Sequence, residues 1–156
     1  MKTYQLYKEQ YLPISLKEAW DFFSSAGNLS KITPAEMDFK ILTKLTGEPI
    51  YAGMHIDYIV KPLLGIPMKW TTEISKVDAG KSFTDKQIKG PYALWEHTHT
   101  FTAVKGGVFM TDTVLYAVPL GWLGQIAREL IVKAKLEDIF KFRETKLVSL
   151  FGQYQA

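Results

Sequence analysis

The sequence predicts an α+β fold in which a curved antiparallel sheet of about seven strands grips one long C-terminal helix, with two short helices after strand 1. Three observations predict it. A stretch from Gln125 to Phe151 contains neither Gly nor Pro and is closed by Gly152. Between residues 38 and 118, short alternating segments rich in Thr, Ile, Val and aromatics are separated by Gly, Pro and Asp turns, the pattern of strands in a meander. Near the start, Ser15-Leu16-Lys17-Glu18 has the spacing of a capping box, in which the Ser hydroxyl and Glu carboxylate satisfy free N–H groups at a helix start.

The elements follow in order. Residues 3–11 alternate as a first strand. The capped helix runs from Ser15 to about Ser24 and stops at Gly27; a second short helix at Asn28–Ile32 ends before Pro34. Strands are expected at about 38–45, 54–61, 68–77, 82–89, 94–104 and 107–118. Their turns carry Pro62/Gly65/Pro67, Asp78-Ala79-Gly80, Gly90-Pro91 and Lys105-Gly106. The final helix, roughly 40 Å long at 1.5 Å per residue, shows an apolar stripe of Val132, Leu136, Ile139, Leu147 and Leu150. Glu129/Lys133 and Glu137/Lys141 are spaced to pair on its wet side. A sheet that curls around this helix, with the two short helices plugging the gap, makes one domain of residues 1–156.

Composition narrows the function. The chain has 156 residues, 47% hydrophobic and 13% aromatic, with a formal charge of +3. Rings can wall a cavity as well as fill a core. Without a block of Lys and Arg, nucleic acid is not an expected partner. The chain has no Cys, which excludes disulfides and thiolate chemistry and is compatible with a cytoplasmic location. The N-terminal residues carry Lys2, Lys8 and Glu9 and no secretory signal is read there. The longest charge-free apolar run, Thr113 to Ala127, is broken by Pro119 and Gly121 and falls short of the ~20 residues that span a bilayer.

Strand periodicity identifies the side chains that face the helix. In segment 94–104 these are Trp95, His97, His99 and Phe101; in 107–118 they are Met110, Asp112, Val114, Tyr116 and Val118; in 82–89 they are Phe83, Asp85 and Gln87. Trp70 joins them from segment 68–77. If Lys105-Gly106 is a two-residue hairpin loop, Val104 pairs with Gly107. The ladder then runs Phe101–Met110, His99–Asp112, His97–Val114 and Trp95–Tyr116, and inward residues meet inward residues throughout. Asp85, one strand further, neighbours His97 or His99.

An imidazole between carboxylates on an apolar wall has three readings: a satisfied polar network that fixes the fold, a hydrogen-bonding site for a ligand, or a proton-transfer pair of His99 and Asp112. The network reading is the simplest. His97-x-His99 resembles the His-x-His pair of cupins, but the further Glu and distal His have no counterpart, since the remaining His55 is predicted to face outward; no metal and no cofactor is expected. Arg143 falls inside the helix stripe, so its charge must reach Asp112 or Asp85, or snorkel out.

The runs Phe83-Thr-Asp85-Lys-Gln87-Ile-Lys-Gly90-Pro91-Tyr92 and Trp95-Glu-His97-Thr-His99-Thr-Phe101 resemble the ligand-binding SRPBCC group of the START and birch-pollen-allergen superfamily. So do Met110-Thr-Asp112-Thr-Val114-Leu-Tyr116, Ile139-Phe140-Lys-Phe142-Arg143 and Ala19-Trp20-Asp21-Phe22-Phe23. The resemblance covers nearly the whole chain. It implies a helix-grip fold with an internal cavity, in a superfamily whose members bind lipids, sterols, polyketides or plant hormones and include polyketide cyclase-like enzymes. It carries no catalytic role onto any residue here.

The expected function is therefore binding of a small, largely apolar molecule with at least one polar group, as a carrier, sequesterer or sensor. A cofactor-independent cyclase/aromatase, dehydratase or isomerase using the inward His/Asp set is the alternative, and an interaction or scaffold protein with a collapsed pocket a second one. The expected ligand contacts are the inward set named above apart from Val118, together with Trp70 and Arg143. The connections 62–67 and 119–123 are unusually apolar for loops. Their Leu63, Leu64, Ile66, Leu120 and Trp122 are expected to rim the cavity as a portal.

Overall fold

The computed structural model describes residues 1–156. One antiparallel sheet contains β1 (Tyr4–Leu12), β2 (Lys40–Ile41), β3 (His55–Val60), β4 (Met68–Asp78), β5 (Ser82–Lys89), β6 (Leu94–Val104) and β7 (Gly107–Ala117). Its order is β1-β7-β6-β5-β4-β3-β2: a six-strand meander with the N-terminal strand added beside the last. The hairpin of β6 and β7 has the register deduced from periodicity, with Val104 opposite Gly107 and His99 opposite Asp112. Gly106 makes that turn at φ +80°, a conformation that L side chains resist.

Helix α1 (Leu16–Phe23) starts at the expected capping box, with both reciprocal Ser15–Glu18 bonds formed. The second short helix is a 3-10 helix and begins earlier than expected, at Ala26–Ile32; a further 3-10 turn follows at Ala35–Met37. The expected strand 38–45 shrinks to Lys40–Ile41.

The C-terminal helix begins four residues before the expected Gln125. It runs through α2 (Gly121–Ala127), a π-helical turn at Arg128–Val132 and α3 (Lys133–Phe151). Gly121 and Gly124 read as breakers in the sequence, but Gly124 is needed inside the helix: a Cβ there would lie 1.8 Å from the Pro119 carbonyl oxygen. The buried stripe is Val132, Leu136, Phe140, Arg143 and Leu147, while Leu150 is exposed. The π turn inserts extra backbone into the helix, where this stripe begins at Val132. The two expected intrahelical ion pairs are replaced: Glu129 meets Arg128 at 2.6 Å, and Glu137 reaches Lys8 on β1 at 2.6 Å.

Two apolar clusters fill the space between sheet and helix. One gathers Leu12, Phe83, Phe101, Val108, Met110 and Leu147; the other gathers Leu6, Trp70, Val114, Tyr116, Leu136 and Phe140. Fully burying one such aliphatic or aromatic side chain is worth about 1.5–3 kcal/mol. Between the clusters lies a polar belt. On β5, Asp85 follows Phe83; on β6, His97 and His99 precede Phe101; on β7, Asp112 separates Met110 from Val114; on α3, Arg143 separates Phe140 from Leu147.

Candidate functional site

The belt is a connected network. Period-2 alternation aims Asp85, His97, His99 and Asp112 at the helix, and the helical repeat brings Arg143 down onto them. Asp85 is opposite His97 and Asp112 is opposite His99. The hydrogen bonds nevertheless run along the diagonals. His99 Nε2 lies 3.0 Å from Asp85 Oδ2, and His97 Nε2 lies 2.8 Å from Asp112 Oδ1. Diagonal neighbours are within reach of long side chains on a pleated sheet. The two imidazoles stack, with centroids 3.7 Å apart and planes 28° apart. His99 Nδ1 comes within 3.1 Å of the same Asp112 oxygen without the alignment of a hydrogen bond. Arg143 Nη2 is 3.5 Å from Asp112 Oδ1.

The five groups set one another's ionisation. Burial opposes ionisation of Asp112, but the Arg143 charge, the bond from His97 and the close His99 imidazole outweigh it and hold the carboxyl well below its ordinary value. Asp85 is likewise lowered: the His99 bond and the His97, His99 and Arg143 charges together exceed the cost of burial. The histidines divide. Burial and the neighbouring His99 lower His97, whereas at His99 the close Asp112 carboxylate and the bond to Asp85 overcome burial and raise it. The two carboxylates thus face the Arg143 guanidinium and the more basic His99 inside an apolar interior.

Beside the belt is a cavity of about 200 Å³, of whose 29 lining residues 20 are hydrophobic. Trp70, Phe83, Asp85, Trp95, His97, His99 and Arg143 line it. Phe101, Met110, Val114 and Tyr116 are buried in the two clusters and do not line it. Asp112 stands behind the histidines, away from the cavity. Gln87 holds the following turn instead, donating from Nε2 to the Tyr92 carbonyl at 2.7 Å and accepting from the Tyr92 N–H at 3.1 Å.

Of the apolar connections, Pro62 touches the cavity. Leu63 packs on the second cluster, and Leu64, Ile66, Leu120 and Trp122 are exposed without lining the cavity. The exposed lining residues are Ser25 and Leu29, beside and on the 3-10 helix. Strand periodicity could not find this wall: Phe22 and Phe23 close the short helix α1, and Ala26, Leu29 and Ile32 lie on the 3-10 helix. The apolar content of residues 22–32 was the available signal. Tyr58 and Tyr92 also lie in or beside the wall, and burial pushes both phenols up.

No protein-family model and no curated protein matches this sequence. Solved structures show the fold. A protein from Chromobacterium violaceum superposes with a TM-score of 0.70 at 11% identity, over 95% of this chain and 96% of that one. The ginseng major latex-like protein 151 from Panax ginseng gives 0.68 at 13% identity, over 96% and 97%. Norcoclaurine synthase from Thalictrum, a point mutant in complex with a transition-state analogue, gives 0.66 at 16% identity, over 96% of both chains. The chain thus shares the helix-grip fold of these structures.

Proposed function

We propose that this protein binds a small, largely apolar molecule in the cavity between sheet and helix. The observation that carries the reading is the cavity itself, about 200 Å³ with mostly hydrophobic walls and one polar side formed by Asp85, His97, His99 and Arg143. A concave apolar site with a few convergent polar groups is the usual form of a small-molecule site. An apolar body would lie against Trp70, Trp95, Phe83 and Phe140, and a polar group would meet the belt. Access is proposed beside Leu29 rather than through the 62–67 and 119–123 connections, because Leu29 and Ser25 are the exposed members of the lining.

Native mass spectrometry of the freshly purified protein tests the reading directly, and an apolar compound should co-purify. Trp70 and Trp95 supply a second signal, since an occupant should alter their fluorescence. Leu29→Trp should slow uptake of an apolar probe at least several-fold, while Trp122→Ser leaves uptake unchanged. The reverse order would place the portal at the connections, and absence of binding by every apolar probe would overturn the function.

A second reading is a cofactor-independent cyclase, dehydratase or isomerase. It is favoured by the titratable groups at the cavity wall and by the norcoclaurine synthase fold likeness. Chemical change of a bound compound, rather than release of the same compound, separates the two readings.

A further inference from the structure

We infer that Asp85, His97 and His99 form a site for one divalent transition-metal ion of the zinc or ferrous type. The inference stands independently of what fills the cavity and rests on which nitrogen of each imidazole faces which carboxylate. The far nitrogens, His97 Nε2 and His99 Nδ1, both turn to Asp112 Oδ1, at 2.8 and 3.1 Å. The near nitrogens, His97 Nδ1 and His99 Nε2, both turn to Asp85 Oδ2, at 4.0 and 3.0 Å. One donor atom from each of Asp85, His97 and His99 therefore lies within 4.8 Å of the others.

A tetrahedral ion with bonds of about 2.1 Å needs donors about 3.3 Å apart, a spacing between the two near-nitrogen distances. All three residues line the cavity, so the remaining coordination positions would open toward it.

Asp112 supplies what metal-bound histidines need behind them. A carboxylate on the far nitrogen fixes ring orientation and raises ligand basicity. Arg143, 3.5 Å from the same oxygen, holds Asp112 in that outer role. The donor set also selects the ion. Two imidazoles and one carboxylate suit zinc or ferrous iron, while a site without thiolates is a poor one for softer ions.

The test uses tag-free full-length protein stripped with a chelator. Zinc is titrated by calorimetry and cobalt(II) by its visible absorption. One ion per chain should bind, and in the wild-type protein zinc should shift the ring-proton NMR signals of His97 and His99 but not those of His55. Asp112→Asn should weaken affinity about 10–100-fold. His97→Ala and His99→Ala, checked for folding by circular dichroism, should abolish binding, while His55→Ala leaves it unchanged. No saturable binding to the wild type, or zinc shifts confined to His55, would overturn the assignment even if the cavity variants fail to fold.

Discussion

Two of the histidine–carboxylate pairs that join neighbouring strands of this sheet live in opposite environments. His55 on β3 lies 2.9 Å from Glu73 on β4, with its side chain 55% exposed. His99 on β6 lies 3.0 Å from Asp85 on β5, with its side chain 8% exposed. The contact geometry is nearly the same; the surroundings differ. Water solvates the outer pair whether or not the contact forms, so such a bond is worth about 0–1 kcal/mol. Inside, each group has surrendered its hydration, and removing one member leaves its partner buried and uncompensated. A histidine–carboxylate contact is thus dispensable on one face and mutually dependent on the other.

Breaking the inner network at its cation should have the largest effect. Arg143→Met leaves Asp112 facing the histidines without its guanidinium, and chemical denaturation should show a loss of about 3–5 kcal/mol. A loss below 1 kcal/mol would make the belt as solvent-screened as the outer pair. Pairing that change with Asp112→Leu should cost less than the two single losses added, by about 0.5–3 kcal/mol in a double-mutant cycle. Strict additivity would mean the two groups do not feel each other. Next in size, His99→Ala should cost about 1–3 kcal/mol, chiefly by leaving the Asp85 carboxylate without its donor. His55→Ala should stay within about 0.5 kcal/mol. If it matches His99→Ala, exposure is not the variable that separates the pairs.

Much of the belt was legible in the sequence because a strand has only two faces. Once Lys105-Gly106 fixes the hairpin, parity alone puts His99 opposite Asp112, as found. Parity cannot say which way an imidazole leans. The diagonal bonds, His97 to Asp112 and His99 to Asp85, depend on side-chain torsions and ring stacking that no spacing rule contains. Parity also treats every inward residue alike, whereas the cavity touches His97 and Trp95 but not Phe101 or Tyr116. The helix start was misplaced because Gly124 looks like a breaker until the Pro119 carbonyl is seen against it. The cavity wall at residues 26–32 escaped for a different reason. A 3-10 helix has a poorer repeat than either a strand or an α-helix, and its apolar residues form no clear stripe.

The sheet order has a consequence in time. Tyr4 on β1 lies opposite Tyr116 on β7, nearly the whole chain away. A nascent chain leaving the ribosome therefore holds its first strand without a partner until the last hairpin has emerged. The β4–β7 meander can zip locally, but closing β1 onto β7 must bring together the first and last strands of the chain, and such distant contacts slow folding. Until that closure Leu6 and Leu12, buried in the finished protein, remain in water, and the outer edge of β7 is open to any other extended segment.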